Sequence, residues 1–320
     1  MVVRSRTELD KPHRSRRDAL KPSQLDWSVK MNKKNSNTRE PGVLYVVATP
    51  IGNLKDVTYR AVETLRKVDK IVAEDSRHSR RLLEEYEVET PFTLSYYQGS
   101  GEERRKGIVD KLRNGSDLAL ISDAGTPLIS DPGFKLVRLA RRKDIEVRSI
   151  PGPSACIACL SISGQPTDSF VFAGQVPKKT KQKSNYFEEL RTRRKTTVLY
   201  DSPHRVEVTL KTMADVLPER SITVCRELTK QFERTLKGSP KEVLEELRQG
   251  KLKGEFTLVI SGATEEEAAS ARREKYEDIP IEQQYEGIKK LKGLSRKEAM
   301  RELADLRGTS KNEIYDELNK

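Results

Sequence analysis

Three short stretches of this sequence set reactive side chains beside residues that make tight turns. From Ser122 to Gly133, SDAGTPLISDPG, glycines and prolines alternate with carboxylates and hydroxyls. Glycine carries no Cβ and proline has a fixed φ, so such a loop lets a ligand approach the backbone closely; it is equally the composition of an ordinary strand-to-helix turn. Pro151-Gly152-Pro153-Ser154-Ala155 can present backbone N–H groups at a helix start, where a polar ligand group is stabilised. Glu74-Asp75-Ser76-Arg77-His78 groups two acids, a cation and an imidazole. Such a set can move protons or hold a polar partner, and it also suits a solvated helix cap.

The elements that must carry these stretches are legible from hydrophobic periodicity. Leu118 to Ile121 is a continuous apolar run, the mark of a strand covered on both faces in a parallel sheet. Leu44 to Ala48 is a first strand, and Thr49-Pro50-Ile51-Gly52-Asn53-Leu54 turns out of it. A helix follows from about Val57, with Val57, Ala61, Leu65 and Val68 at helical spacing. Ile71 to Ala73 is a second strand that runs directly into Glu74. Next come a helix near Ser79 to Tyr86, a strand at Pro91 to Leu94 and a helix from Glu102 to Arg113. A helix from Gly133 to Arg142 and a strand at Glu146 to Ile150 complete the unit. Strand and helix alternate, which predicts a parallel α/β domain whose carboxyl-end loops are the three stretches above.

From Ser154 the alternation begins again. Strands are expected at Phe170 to Phe172, Thr196 to Tyr200, Ser221 to Val224 and Phe256 to Ile260, with helices near Asn185 to Leu190, Arg205 to Val216 and Lys241 to Arg248. Lys178, Lys179, Lys181 and Lys183, then Arg191, Arg193, Arg194 and Lys195, form basic clusters that suit a phosphate backbone or simply a solvated surface. After a charged linker from Glu265 to Asp278, Ser295 with Glu298 and Ser310 with Glu313 make two capping boxes. The first opens a helix to Arg307 with Ala299, Leu303 and Leu306 inward, ended by Gly308; the second opens a helix through Ile314 and Leu318. The fold class is therefore α/β, with two α/β domains at residues 43–152 and 153–263. A flexible basic arm precedes them at 1–42, and a linker with a small helix-turn-helix-like module follows at 264–320.

The chain has 320 residues and a net charge of +12. Residues 1–40 carry +6, residues 41–263 carry +8 and residues 264–320 carry −2. The body thus has its own positive excess, which suits a polyanionic partner such as RNA. No apolar run is long enough for a membrane span, and the first 40 residues lack the apolar core of a secretory signal. The expected compartment is the cytoplasm. Three cysteines cannot build a disulfide framework, and Cys156 and Cys159 read as small apolar residues of a tightly packed helix rather than as metal ligands.

Six segments, in this order, resemble the ribosomal RNA small subunit methyltransferase I family, a branch of the tetrapyrrole methylase superfamily. They are the turn from Thr49 to Leu54, Ala73 to His78, Ser122 to Gly133, Pro151 to Ala155, Ser202-Pro203-His204-Arg205 and Arg226-Glu227-Leu228-Thr229-Lys230. The resemblance spans about residues 43 to 262. It implies a two-domain enzyme, usually a homodimer, that holds S-adenosylmethionine between its domains and methylates the 2′-hydroxyl of a cytidine in the decoding region of 16S ribosomal RNA. Free RNA and the assembled small subunit are both open as the substrate.

Carried onto this chain, the cofactor-binding residues would be Pro50, Gly52, Asn53, Ser122, Asp123, Gly125, Thr126, Pro127, Leu128, Asp131, Pro151, Gly152, Ser154 and Ala155. RNA would meet Glu74, Arg77, Lys178, Lys179, Lys181, His204 and Arg205. Asp75 and His78, beside the implied cleft, are the candidates to take or relay a proton, and the displacement at a sulfonium needs no metal. The chain departs from the family pattern at Tyr97-Gln98-Gly99-Ser100, where the family has His-x-His-Asn. It departs again at Ala173-Gly174-Gln175 for Glu-Gly-Phe, and at Asp201 for the Glu of Tyr-Glu-Ser-Pro-His-Arg. Two other readings are compatible with the same shell: a tetrapyrrole C-methyltransferase of uroporphyrinogen or precorrin type, and a non-catalytic RNA-binding ribosome-assembly protein.

Overall fold

The computed structural model describes residues 40–250, 252–277 and 279–319. The expected basic arm lies outside the described residues up to position 39. Pro41–Lys320 form one compact unit.

The first sheet is built from β1 (Leu44–Val47), β2 (Lys70–Ala73), β3 (Leu118–Ile121) and β4 (Val147–Ile150), in the order β2-β3-β1-β4 and parallel throughout. All four residues of β3 are buried, as its unbroken apolar run requires. Its side chains divide by alternation. Ala119 and Ile121 join Val47, Ile71 and the helices α1 (Tyr59–Lys67) and α2 (Ser76–Glu85) on one face. Leu118 and Leu120 join Leu44, Val72 and the helices α3 (Glu102–Arg113) and α4 (Phe134–Arg142) on the other. The chain leaves β1 toward one face and β3 toward the other, although the two strands are neighbours. Their carboxyl ends therefore flank a topological switch point, where open α/β sheets bind ligands.

The second sheet contains β5 (Phe170–Gln175), β6 (Thr196–Asp201), β7 (Ile222–Arg226), β8 (Arg234–Gly238) and β9 (Phe256–Ile260), in the order β5-β6-β9-β7-β8. Only β5 and β6 are parallel; β9 runs antiparallel to both β6 and β7, and β8 is antiparallel to β7. The helices α6 (Thr180–Leu190), α7 (Val206–Val216) and α8 (Pro240–Arg248) cover one face through Phe187, Leu210, Met213 and Val243. The helix α5 (Ala155–Ser163) covers the other with Cys156, Cys159 and Leu160, and Ile51 from the turn after β1 joins the same cluster.

The structure corrects three sequence expectations. Pro91 to Leu94 is not a strand: Phe92 makes a single parallel bridge to Ile71 at the edge of β2, where Pro91 has no N–H to extend the ladder. Strand β8 has no counterpart among the expected strands, because its one buried side chain, Leu236, leaves no alternating signal. Glu265 to Asp278 is not a linker: α9 spans Glu265–Glu277, opened by a capping box in which Glu267 N–H donates to Thr264 Oγ1 at 3.1 Å and Thr264 N–H to Glu267 Oε2 at 2.7 Å. Three acids in its first turn complement the helix dipole, so charge here favours the helix.

Beyond it lie α10 (Ile281–Lys292), α11 (Arg296–Arg307) and α12 (Lys311–Leu318). Both expected capping boxes are present, at Ser295 with Glu298 and Ser310 with Glu313, and Gly308 ends α11 in the left-handed conformation. Ala299 and Leu303 are buried with Ile281, Tyr285 and Ile314 in a core of their own, while Leu306 is half-buried.

Candidate active site

The turn after β1 and the loop after β3 are locked together. Thr49 N–H donates to the Gly125 carbonyl at 2.9 Å, and Gly125 N–H to the Thr49 carbonyl at 3.0 Å. Gly125 sits at φ +79°, and a Cβ there would meet Ile51 Cγ2 at 3.3 Å. Thr126 Oγ1 donates to the Pro153 carbonyl at 3.0 Å, which ties the same loop to the segment before α5. Further along, Leu128 and Ser130 hold φ of 75° and 69°, a conformation that side-chain-bearing residues adopt at a cost. Such strain gathers at ligand sites.

These loops line a cavity of about 410 Å³ at the carboxyl end of the first sheet. Ile51, Glu74, the Asp123–Thr126 loop and Asp131 form one wall; Ser154 and Ala155 at the start of α5 form the floor. The opposite wall comes from the second sheet: Gln175 at the end of β5, Tyr200 to Pro203 with Arg205 after β6, Cys225 and Leu228, and Gly254 to Thr257 leading into β9. Tyr200 joins wall to floor. Its hydroxyl accepts from Cys156 N–H at 3.0 Å, and its ring meets Phe172 edge-on at 5.0 Å. Burial pushes its phenol up to about 12.

Carboxylates dominate the electrostatics. Burial first, then Asp131 and Asp123, pushes the Glu74 carboxyl up to about 7. Asp131 rises to about 6, again through burial, reinforced by Asp123 and Glu255 and opposed by a hydrogen bond with Ser122. Acids that repel one another this way favour a positively charged occupant. Asp75 behaves oppositely. Arg77 donates to it from its guanidinium and its backbone N–H, so its carboxyl falls to about 2 while it caps α2.

Of the residues singled out by sequence, Glu74, Asp123, Gly125, Thr126, Asp131, Ser154, Ala155 and Arg205 line the cavity. The others stand behind it or apart. Ser122 is buried behind the wall, and Gly152 passes so close to Ala48 that a Cβ would come within 3.0 Å of the Ala48 Cβ. Gly52 lies under the stem of Lys230, and Asn53 accepts from Lys55 N–H to start a short 3-10 turn at Leu54–Asp56. Pro50, Pro127, Leu128 and Pro151 shape the loops without facing the cavity. Asp75, Arg77 and His78 sit on the first turn of α2 outside it, and Lys178, Lys179, Lys181 and His204 are exposed on the second sheet's connections. Tyr97 to Ser100, where the family pattern is lost, is likewise not part of the cavity wall.

Sequence reasoning missed Gln175, Tyr200, Ser202 and the Gly254–Thr257 segment. Gly254, at φ +92° just before a clear strand, was the available signal.

A family profile described as Tetrapyrrole (Corrin/Porphyrin) Methylases matches residues 43–244, from β1 into α8 and so all of the strands but β9. A curated relative in Halalkalibacterium halodurans, named ribosomal RNA small subunit methyltransferase I, is 40% identical over 278 residues, covering 87% of this chain and 94% of that protein. A Synechocystis relative of the same name is 42% identical over 277 residues, covering 86% and 96%. Among solved structures, diphthine synthase superposes with a TM-score of 0.53 at 15% identity, over 68% of this chain and 89% of that one, a likeness of fold. The overall fold is thus shared well beyond sequence similarity. The chain belongs to the tetrapyrrole methylase family, and within it to the ribosomal RNA small subunit methyltransferase I proteins.

Proposed function

We propose that this methyltransferase uses S-adenosylmethionine to methylate the 2′-hydroxyl of a cytidine in the decoding region of 16S ribosomal RNA, as a cytoplasmic homodimer. The observation that carries the reading is the acid-lined cavity at the switch point, in a chain about 40% identical to small-subunit RNA methyltransferases over most of its length. The relatives at about 40% identity over most of the chain are named for ribosomal RNA, so the tetrapyrrole and assembly-protein readings are not favoured. Residues 43–152 and 153–263, one sheet each, are read as the two domains, with 264–320 as an appended module. Ile157 and Ile162, about half exposed on α5, offer an apolar surface to a second copy.

The cavity fits the cofactor. Its volume lies in the range of small-molecule sites, the backbone of Gly125 forms part of its wall, and Glu74, Asp123, Asp131 and Glu255 balance positive charge. Asp131, Ser154, Ala155 and the Asp123–Thr126 loop would hold it. Bound there, S-adenosylmethionine supplies a methyl group made electrophilic by a sulfonium.

The chain's own share is alignment, worth roughly 7–11 kcal/mol when two reactants are well positioned, and proton removal. Glu74 is read as the group that takes the proton, a reading supported by its place in the cavity lining and by a carboxyl near 7, which is a matched base at neutral pH. Asp75 and His78, the sequence candidates, are read instead as orienting α2, since Asp75 is held by Arg77.

The experiment is incubation of the full chain with labelled S-adenosylmethionine and either deproteinised small-subunit RNA or assembled subunits. Label on a cytidine ribose from either substrate supports the reading, and no ribose label from both overturns it.

A further inference from the structure

Five of the six motifs that carry the resemblance supply residues to the cofactor or RNA readings; Arg226 to Lys230 supplies none. It forms the end of β7 and the start of the turn toward β8. The backbone there is strained: Glu227 and Thr229 hold φ of 51° and 67°, a left-handed conformation that side-chain-bearing residues adopt at a cost. Leu228, between them, lines the cavity and shares a hydrophobic cluster with Ile51 from the turn after β1.

Lys230 reaches across to that same turn. A Cβ on Gly52 would collide with Lys230 Cγ and Cε, so the lysine stem lies directly on the bare backbone of the glycine. Its ammonium is held at the other end, where Nζ donates to Glu227 Oε1 at 2.8 Å and to Glu255 Oε2 at 3.0 Å. Glu227 Oε1 also accepts from Glu255 N–H at 3.0 Å, and Glu227 N–H donates to the Glu255 carbonyl at 3.0 Å. Gly254 makes room for this arrangement, since a Cβ there would strike the Glu227 carboxyl. Glu255 lines the cavity on the second sheet's side, and Gly52 follows Ile51, which lines it on the first sheet's side. One side chain therefore bridges the two walls. The Glu227 leg is the more sheltered; the Glu255 side chain is 74% exposed, so its leg orients the carboxylate and adds little stability. Without the ammonium, two carboxylates that converge on one point would repel each other.

We propose that Lys230 is a positioning residue for the methyl donor: its stem on Gly52 and its ammonium between Glu227 and Glu255 fix the facing walls of the cavity and aim the Glu255 carboxylate before the donor enters. Lys230 itself is outside the lining, so it acts through Glu255. The proposal rests on the S-adenosylmethionine reading above and gives a role to the one motif that had none.

The test uses the full chain with Lys230→Met, which keeps the stem and removes the charge, alone and combined with Glu255→Gln. In calorimetry, Lys230→Met should weaken S-adenosylmethionine binding about fivefold when Glu255 is present and by no more than about twofold when it is Gln, because neighbours that act together are not additive. Hydrogen exchange in the ligand-free protein should quicken in residues 49–56 and 253–257 while α7 keeps its rate. A lysine that merely stabilises the fold would lose equal affinity in both backgrounds and quicken exchange throughout, and either result overturns the proposal. Donor affinity unchanged by Lys230→Met overturns it too, as does unchanged exchange in both segments. A wild type that binds no S-adenosylmethionine, with the local exchange pattern as expected, supports the bridge between the walls and overturns the cofactor reading.

Discussion

Thr49 and Gly125 exchange both of their backbone hydrogen bonds, at 2.9 and 3.0 Å, across the switch point of the parallel sheet. This pairing fixes the turn after β1 against the loop after β3, which brings Ile51 and the Asp123–Thr126 loop together in the cavity's first wall. Thr49 Oγ1 adds bonds to the Ser122 and Gly125 carbonyls at 3.3 and 3.4 Å.

Gly125→Val attacks that pairing. The left-handed conformation costs a side-chain-bearing residue roughly 1–2 kcal/mol, and the added methyls press on Ile51. S-adenosylmethionine affinity measured by calorimetry should fall at least about tenfold, equivalent to roughly 1.4 kcal/mol. Thermal unfolding should move down as well.

The rate of a single turnover should depend on Glu74. With its carboxyl near 7, the ionised base accumulates as pH rises through neutrality, so the rate should climb and level above about pH 8. Glu74→Gln should lower the plateau by about 10²–10⁴-fold and flatten the rise. Asp75→Ala should change the plateau by only a few-fold while loosening α2, whose cap it removes.

Stability should respond to pH with a definite sign. Glu74 and Asp131 have folded-state pKa values raised from 4.5 to about 7 and from 3.8 to about 6. Their contribution is fully present below the unfolded values and is lost as pH rises through the folded ones. Denaturant titrations should show Glu74→Gln and Asp131→Asn gaining on the wild type between about pH 4 and pH 7, with no relative gain at more acid pH.

The helical tail has its own core, and Leu303 is fully buried in it. Leu303→Ala should destabilise this core by about 2–5 kcal/mol. Arg191 with Glu274, and Arg194 with Glu265, tie α9 to the second sheet, so hydrogen exchange should rise in α10 to α12 before it rises in β1 to β4.

How much of this was legible depends on whether the signal is local. β3 was readable because a strand buried on both faces must be apolar throughout, as Leu118 to Ile121 are. The capping boxes at Ser295 and Ser310 were readable because hydroxyl and carboxylate stand three residues apart. The box at Thr264 and Glu267 has the same spacing, but the charge density around it reads as linker. Half the cavity was not readable at all. Tyr200 and Gly254 to Thr257 meet only because β9 inserts antiparallel between β6 and β7, which no local pattern announces. Glu74 stood out as a polar residue at a strand end; its raised pKa comes first from burial and then from Asp131 and Asp123, all of which arise only in the folded cavity. Lys183 lay inside a basic run whose other members are exposed, so its burial was hidden by its neighbours.

The most direct test of the account is to map ribose methylation across small-subunit RNA by mass spectrometry, in cells with and without this chain. The account predicts one methylated cytidine in the decoding region, absent without the chain, restored by the wild type and not restored by Glu74→Gln. An unchanged methylation map on removal of the chain would contradict it.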